Sequence, residues 1–84
     1  MKWDVIEVKP DLPLSLMVRF ADGTSGKVRF EPSYFTGVFQ PLKDQSLFQQ
    51  VYVESGAVVW PGELDLAPDA MYQAIKKQGE WVLR

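Results

Sequence analysis

Hydrophobic and polar positions alternate along residues 14–20, where every second residue is apolar. Leu14, Leu16, Val18 and Phe20 fall on one face, and Ser15, Met17 and Arg19 fall on the other. A period of two is typical of a half-buried strand. Residues 27–31 repeat the pattern after a loop that holds two glycines, so the two predicted strands should form an antiparallel hairpin. Residues 3–9, rich in Val and Ile and followed by Pro10, predict a strand that precedes this hairpin.

The alternation also limits the loop of the first hairpin. Directly opposed residues of an antiparallel pair share a face, so we expect Val18 to lie opposite Val28 or Phe30. This parity excludes a two-residue turn at Asp22-Gly23. The connection should therefore contain three or five residues.

A second hairpin is predicted at residues 51–54 and 57–60, around Ser55-Gly56. A two-residue loop suits this spacing. It pairs Val53 with Val58 and Val51 with Trp60 on one face, and Tyr52 with Val59 on the other. Both faces are therefore apolar near the middle of the hairpin.

Helix signals occur in three places. Residues 32–35 begin with a proline and predict a short helical turn, and Asp44 can cap a short helix over residues 45–49. Residues 68–78 predict a longer helix with Pro68 at its first position, Asp69 at its positive end and Gly79 at its stop. Its apolar stripe consists of Met71, Tyr72 and Ile75.

The predicted fold is α+β, in one domain over residues 1–84. It contains a small antiparallel sheet of two hairpins and an N-terminal strand, a short helical segment, and a C-terminal helix on one face of the sheet. The hydrophobic tail 81–83 is too short to stand alone and must dock on the rest of the domain.

Composition excludes much of catalysis. The chain has no Cys and no His, which removes disulfides, thiolate metal sites, cysteine nucleophiles and the commonest general base. The net charge of −2 opposes nonspecific attraction to phosphate backbones. No apolar run approaches the length of a membrane span. We expect a cytoplasmic protein with no enzymatic activity, no cofactor, no bound metal, no membrane partner and no direct contact with nucleic acid.

Several short segments together resemble the bacterial domain of unknown function 2442. The most specific is Trp60-Pro61-Gly62-Glu63-Leu64-Asp65-Leu66-Ala67-Pro68-Asp69, and Phe20-Ala21-Asp22-Gly23 and Gly37-Val38-Phe39 support it. The resemblance covers about residues 3–75. It implies a small α+β bacterial protein without an assigned activity, sometimes joined to a helix-turn-helix domain and sometimes encoded beside another short protein in toxin–antitoxin-like pairs. Because the residues after the predicted helix are too few for such a DNA-binding domain, we do not expect direct operator recognition.

Tyr52 and Val59 are the first candidates for a protein-interaction site, together with Trp81 in the tail. The C-terminal helix either covers Tyr52 and Val59, or they form an apolar patch open to a second chain. The pattern of residues does not distinguish these alternatives. Trp60 faces Val51 in the predicted hairpin, and we expect it in the core, although Trp60-Pro61 could also present an aromatic platform to a peptide.

Two charged groups form further candidates. Arg19, Lys27 and Arg29 project from the polar face of the first hairpin, where they form either a basic binding face or an ordinary solvated strand face. Glu63, Asp65 and Asp69 could converge on a hard cation such as Mg²⁺, but carboxylates before and within a first helical turn more often accept backbone N–H bonds. We favour the structural alternative for both groups.

Together these observations predict a non-catalytic protein-interaction module, either a homo-oligomer or the smaller member of a toxin–antitoxin-like pair. Two alternatives belong to other classes. A nucleic-acid-associated regulator would use Arg19, Lys27 and Arg29. A metal site or enzyme would need Glu63, Asp65 and Asp69 to converge.

Overall fold

The alternating segments of the chain form strands of two separate sheets, joined by short helices. The computed structural model describes all 84 residues. The strands are β1 (Val5–Asp11), β2 (Ser15–Phe20), β3 (Ser25–Phe30), β4 (Tyr52–Glu54), β5 (Ala57–Trp60), β6 (Leu64–Leu66) and β7 (Glu80–Leu83). The helices are α1 (Gln45–Phe48), α2 (Pro68–Gln78) and two 3₁₀ helices, Pro32–Tyr34 and Gly37–Lys43.

The α+β class is confirmed, and both predicted hairpins form. One sheet has four strands in the order β1-β2-β3-β7, and the other has three in the order β4-β5-β6. The expectation of a single antiparallel sheet is therefore corrected in two respects. The hairpins lie in different sheets, and the tail forms β7, which runs parallel to β3.

The first hairpin confirms the predicted parity but not the predicted partner. The register pairs Leu16 with Val28, so that Val18 lies opposite Gly26. The Phe20 N–H donates to the Thr24 carbonyl at 2.8 Å, which leaves a loop of three residues, Ala21–Gly23. An odd number of loop residues keeps the apolar side chains of β2 and β3 on the same face of the sheet.

Strand β1 begins later and ends later than predicted. It continues through Pro10 to Asp11 because it lies at the edge of its sheet, where a residue without an N–H can be accommodated. A register shift between Val5 and Glu7 leaves Ile6 as an extra, exposed residue. This bulge allows Val5 to point into the core while Glu7 lies opposite Arg19.

Helix α2 has the predicted bounds and packs on the four-stranded sheet. Its buried residues are Met71, Tyr72 and Ile75. Gly79 ends it in the left-handed conformation at φ +81°, from which the chain continues directly into β7. Where the end of the helix passes over β3 there is no room for a side chain, since a Cβ on Gly26 would lie 2.8 Å from the Gly79 carbonyl oxygen.

The second hairpin has the predicted two-residue turn. Tyr52 pairs with Val59 and Val53 with Val58, while the expected Val51–Trp60 pair lies outside β4. Ser55 and Gly56 both adopt positive φ, as a tight hairpin turn requires. This turn touches the other sheet, because the Val5 N–H donates to the Gly56 carbonyl at 2.8 Å.

An aromatic cluster joins the two sheets. Phe30 at the end of β3 lies with its ring centroid 5.6 Å from that of Phe48 and 6.2 Å from that of Trp60. Phe35 also packs against Phe30, at 5.4 Å. Trp60 is 1% exposed, as expected for a core residue, and its Nε1–H donates to the Phe48 carbonyl oxygen at 3.0 Å.

The segment between the sheets carries the short helices that deliver Phe35 and Phe48 to this cluster. The predicted turn after Pro32 is a 3₁₀ helix, and the second 3₁₀ helix, Gly37–Lys43, was not predicted. Asp44 caps α1 as expected, with its carboxylate accepting the Ser46 N–H at 2.9 Å. The cluster partly buries Tyr34, and this burial raises the pKa of its phenol above the usual value.

A hydrogen bond ties the loop of the first hairpin to helix α2. The Tyr72 hydroxyl donates to Asp22 Oδ2 at 2.6 Å, and the Tyr72 ring stands edge-on to Phe20. This bond, with further hydrogen bonds from Thr24, lowers the pKa of Asp22 to about 2. The same bond raises the pKa of Tyr72, because it favours the protonated phenol beside the carboxylate.

We expect the substitution Gly26→Ala to destabilise the domain by about 1–3 kcal/mol, because the new methyl group overlaps the Gly79 carbonyl and the Ile75 side chain. Chemical denaturation measures the loss. Ser25→Ala is the matched control on the same strand, at an exposed side chain, and should change the unfolding free energy by less than about 0.5 kcal/mol. Equal stability of the two variants would contradict the close approach of α2.

Trp60→Phe should leave the buried Phe48 carbonyl without its donor, which costs about 1–3 kcal/mol of unfolding free energy. The smaller ring adds a cavity to this loss. Trp81→Phe serves as the control, since Trp81 is only half-buried and donates no hydrogen bond within the chain. A loss at position 81 as large as that at position 60 would argue against a special role for the indole N–H.

The Tyr72→Phe variant should lose less unfolding free energy than wild type does as the pH falls from about 4 toward 2. Asp22 has a lower pKa in the folded state, so its contribution is present above about pH 4 and is lost as the pH falls toward 2. We therefore expect the difference in unfolding free energy between wild type and Tyr72→Phe to shrink over that range. Thermal melts between pH 7 and pH 2 measure it, with Tyr52→Phe as a control at an exposed phenol. A constant difference would show that Asp22 does not respond to this bond.

Candidate interaction surface

The outer face of the three-stranded sheet is here called the tyrosine face and consists of Tyr52, Glu54, Val59 and Asp65. Alternation sends Val58, Trp60, Leu64 and Leu66 into the core and leaves these residues on the opposite side. The cross-strand pairs Tyr52–Val59 and Val59–Asp65 place them side by side. Tyr52 is 43% exposed, and Val59 is half-buried beside it.

The structure decides between the two alternatives left open for Tyr52 and Val59. Helix α2 packs on β3 and β7 of the other sheet and does not cover the tyrosine face. The two residues line a shallow depression of about 410 Å³. They are therefore accessible to a second molecule.

Carboxylates surround this depression. Glu54 lies two residues from Tyr52 on the same strand, Asp65 lies opposite Val59, and Glu63 stands in the turn that precedes β6. All three side chains are exposed, and no basic residue lines the depression. The site therefore combines an aromatic ring with a negative rim.

Trp81 does not belong to this surface. It lies in β7 of the four-stranded sheet, opposite Val28, and packs half-buried against the core. The tail docks by adding a strand, which is why Trp81 is separated from Tyr52 and Val59. The three residues of the predicted interaction site are thus divided between two sheets.

The predicted basic face is neutralised by acidic neighbours. Arg19 and Lys9 both contact Glu7, at 3.2 and 3.7 Å, and Lys27 contacts Asp11 at 3.3 Å. The remaining cation, Arg29, donates to Glu80 at 3.3 Å. Four cations thus share this face with three carboxylates, and the resulting potential is weak for a phosphate backbone.

The carboxylates of the stretch after Trp60 have separate positions. Asp65 lies on the tyrosine face, whereas Asp69 lies in the first turn of α2, where it accepts the Ala70 N–H at 2.9 Å. No group of three or more potential metal-ligating side chains occurs in the structure. Glu63, Asp65 and Asp69 therefore do not converge as the cation alternative requires.

The other residues of this stretch shape the backbone. Pro61 begins the exposed turn between β5 and β6, in which Gly62 and Glu63 both have positive φ. Pro68 starts α2 without the need for an N–H donor. The stretch thus places one buried tryptophan, one strand and one helix start in immediate succession.

Three features of the surface emerge only from the folded chain. Glu54 joins the acidic rim, Glu7, Asp11 and Glu80 neutralise the basic face, and β7 pairs in parallel with β3. Leu64-Asp65-Leu66 alternates as a half-buried strand does, which is the one sequence feature that indicates β6. Three residues are too few to establish a period and so to predict this strand. The parallel pairing of β7 leaves no local signal in the sequence.

The helices of the structure are short. None of them is long and apolar enough to span a bilayer.

Comparison with known proteins identifies a family. The chain fits the family model described as Protein of unknown function (DUF2442) over residues 5–77. Comparisons with curated proteins and with solved structures gave no match. The matched range includes both hairpins, the tyrosine face and most of α2, and it agrees with the resemblance expected from the stretch around Trp60. The chain therefore belongs to the DUF2442 family.

Proposed function

We propose that the protein is a non-catalytic interaction module that binds another protein through the tyrosine face. The exposed Tyr52 ring beside Val59 carries this proposal. Large aromatic side chains supply much of the binding energy in protein interfaces, and a tyrosine brings a rigid apolar ring together with a hydroxyl. A half-exposed tyrosine on a small depression is a suitable anchor for a partner.

The charges around Tyr52 define the partner's chemistry. Glu54, Glu63 and Asp65 favour a segment that carries lysine or arginine side chains next to an apolar one. Such a segment would place its apolar group against Tyr52 and Val59 and its cations on the rim. Because the carboxylates are exposed, their attraction should weaken with added salt.

The composition of the surface supports a binding role over a catalytic one. The polar side chains that line the depression are three exposed carboxylates, one phenol and the buried Trp60 indole, and no serine, threonine or lysine lines it. Two carboxylates can catalyse hydrolysis when a pocket holds the substrate between them, whereas these three lie exposed around a shallow depression. An association with a short partner protein, as suggested by the family resemblance, some of whose members are encoded in toxin–antitoxin-like pairs, needs only the surface itself.

The test compares affinity capture by wild type and by Tyr52→Glu. Tagged protein from the native host is eluted, and the mass of the intact complex is measured. We expect a stoichiometric partner with wild type and a loss of binding of at least about tenfold for Tyr52→Glu, because the substitution removes the anchor and adds a desolvated charge. The purified partner's dissociation constant should also rise with salt.

Met17→Glu is the matched control. Met17 is also 43% exposed, but it lies on the outer face of the four-stranded sheet, so the variant should bind the partner as wild type does. Thermal melts of both variants verify that they fold. A partner that Tyr52→Glu retains would exclude the tyrosine face, and the absence of any stoichiometric partner would contradict the proposed function.

A further inference from the structure

Strand β7 leaves one edge of the four-stranded sheet open. It pairs only with β3. The Glu31 N–H donates to the Leu83 carbonyl at 2.8 Å, so the backbone groups of Leu83 point toward β3. Since these directions alternate along a strand, the N–H and C=O groups of Glu80 and Val82 point away from the sheet, and continuing the strand by one residue would add those of Arg84.

We propose that this edge pairs with the same edge of a second copy of the chain, in antiparallel orientation, to form a dimer with one continuous eight-stranded sheet. The twofold axis passes beside Val82, so that Val82 of each copy lies opposite Val82 of the other. This arrangement uses the residues whose backbone groups are free. Roughly six backbone hydrogen bonds form across the interface, two for each of three pairs.

The side chains of the edge are complementary to themselves in this register. Glu80 of each copy lies opposite Arg84 of the other, and the symmetry produces this ion pair twice. Trp81 lies opposite Leu83, on the face that the core already half covers. In the sequence Glu-Trp-Val-Leu-Arg, the charged residues Glu80 and Arg84 and the apolar residues Trp81 and Leu83 are therefore placed symmetrically about Val82.

Other registers lose this complementarity. A twofold axis at Trp81 or at Leu83 places Val82 opposite Glu80 or Arg84 and forms neither ion pair. An axis at Glu80 opposes two carboxylates, which is repulsive. The register centred on Val82 is therefore the favoured one.

The existing contact of Glu80 is compatible with the dimer. Arg29 of the same chain donates to Oε1 of Glu80, and the second carboxylate oxygen remains available to Arg84 of the other copy. The tyrosine face lies on the other sheet and stays open in the dimer. The inference is thus independent of the proposed function, and each can fail without the other.

The experiment uses two single charge reversals that should repel themselves but attract each other. In Glu80→Arg, arginines oppose arginines across the axis, and in Arg84→Glu, glutamates oppose glutamates. A mixture of the two variants restores both ion pairs in a heterodimer. Sedimentation velocity measures association from about 10 μM to about 1 mM, a range that covers weak complexes.

We expect wild type to dimerise with rising concentration, each single variant to associate at least about tenfold more weakly, and the equimolar mixture to recover dimerisation. Recovery on mixing cannot come from a folding defect. Lys43→Glu is the control charge reversal, at an exposed position outside the strand, and should dimerise as wild type does.

Val82→Pro tests the backbone pairing separately. It removes an N–H that has no partner within the chain, so the fold should persist, as circular dichroism would show, while the dimer is lost. If this variant fails to fold, the mixing experiment decides. A wild type that stays monomeric up to about 1 mM, or a dimer that persists in both Glu80→Arg and Arg84→Glu, would overturn the proposal.

Discussion

The structure depends on the contact between Phe30 and the pair formed by Phe48 and Trp60. Phe30 belongs to the four-stranded sheet, Phe48 to helix α1 and Trp60 to the three-stranded sheet. The ring centroids of Phe48 and Trp60 lie 5.6 and 6.2 Å from that of Phe30. The indole hydrogen bond to the Phe48 carbonyl adds direction to this packing. Because neither sheet can bury its apolar face alone, the cluster determines how the two sheets are oriented.

That orientation decides which surfaces remain open. Once Trp60 faces the cluster, alternation along β5 sends Val59 outward, and its cross-strand neighbour Tyr52 goes with it. Helix α2 is committed to the other sheet, where Gly26 permits its end to approach β3 closely. The same packing that completes the core therefore leaves the tyrosine face without a covering element.

The charged side chains are paired on the outer face of one sheet and unpaired on that of the other. On the four-stranded sheet, antiparallel and parallel register bring Glu7, Asp11 and Glu80 beside the cations, so the outer face is close to neutral. On the three-stranded sheet, the short strands carry carboxylates and no cations, so the charges around Tyr52 remain unpaired. An acidic rim on one face is a stronger basis for selecting a partner than a set of internally paired ions.

Period-two patterns and local capping were sufficient to predict both hairpins, the odd loop after Phe20, the cap at Asp44 and helix α2, because each depends on residues that are neighbours in the chain. The burial of Trp60 also followed from its place in a pattern. The division into two sheets, the parallel strand β7 and the pairing of Arg29 with Glu80 depend on contacts between residues far apart in the chain, and no local periodicity records them. By itself the sequence determined the elements and their buried sides, whereas the tertiary structure alone decided which apolar face stays exposed, because that depends on where the aromatic cluster and α2 pack.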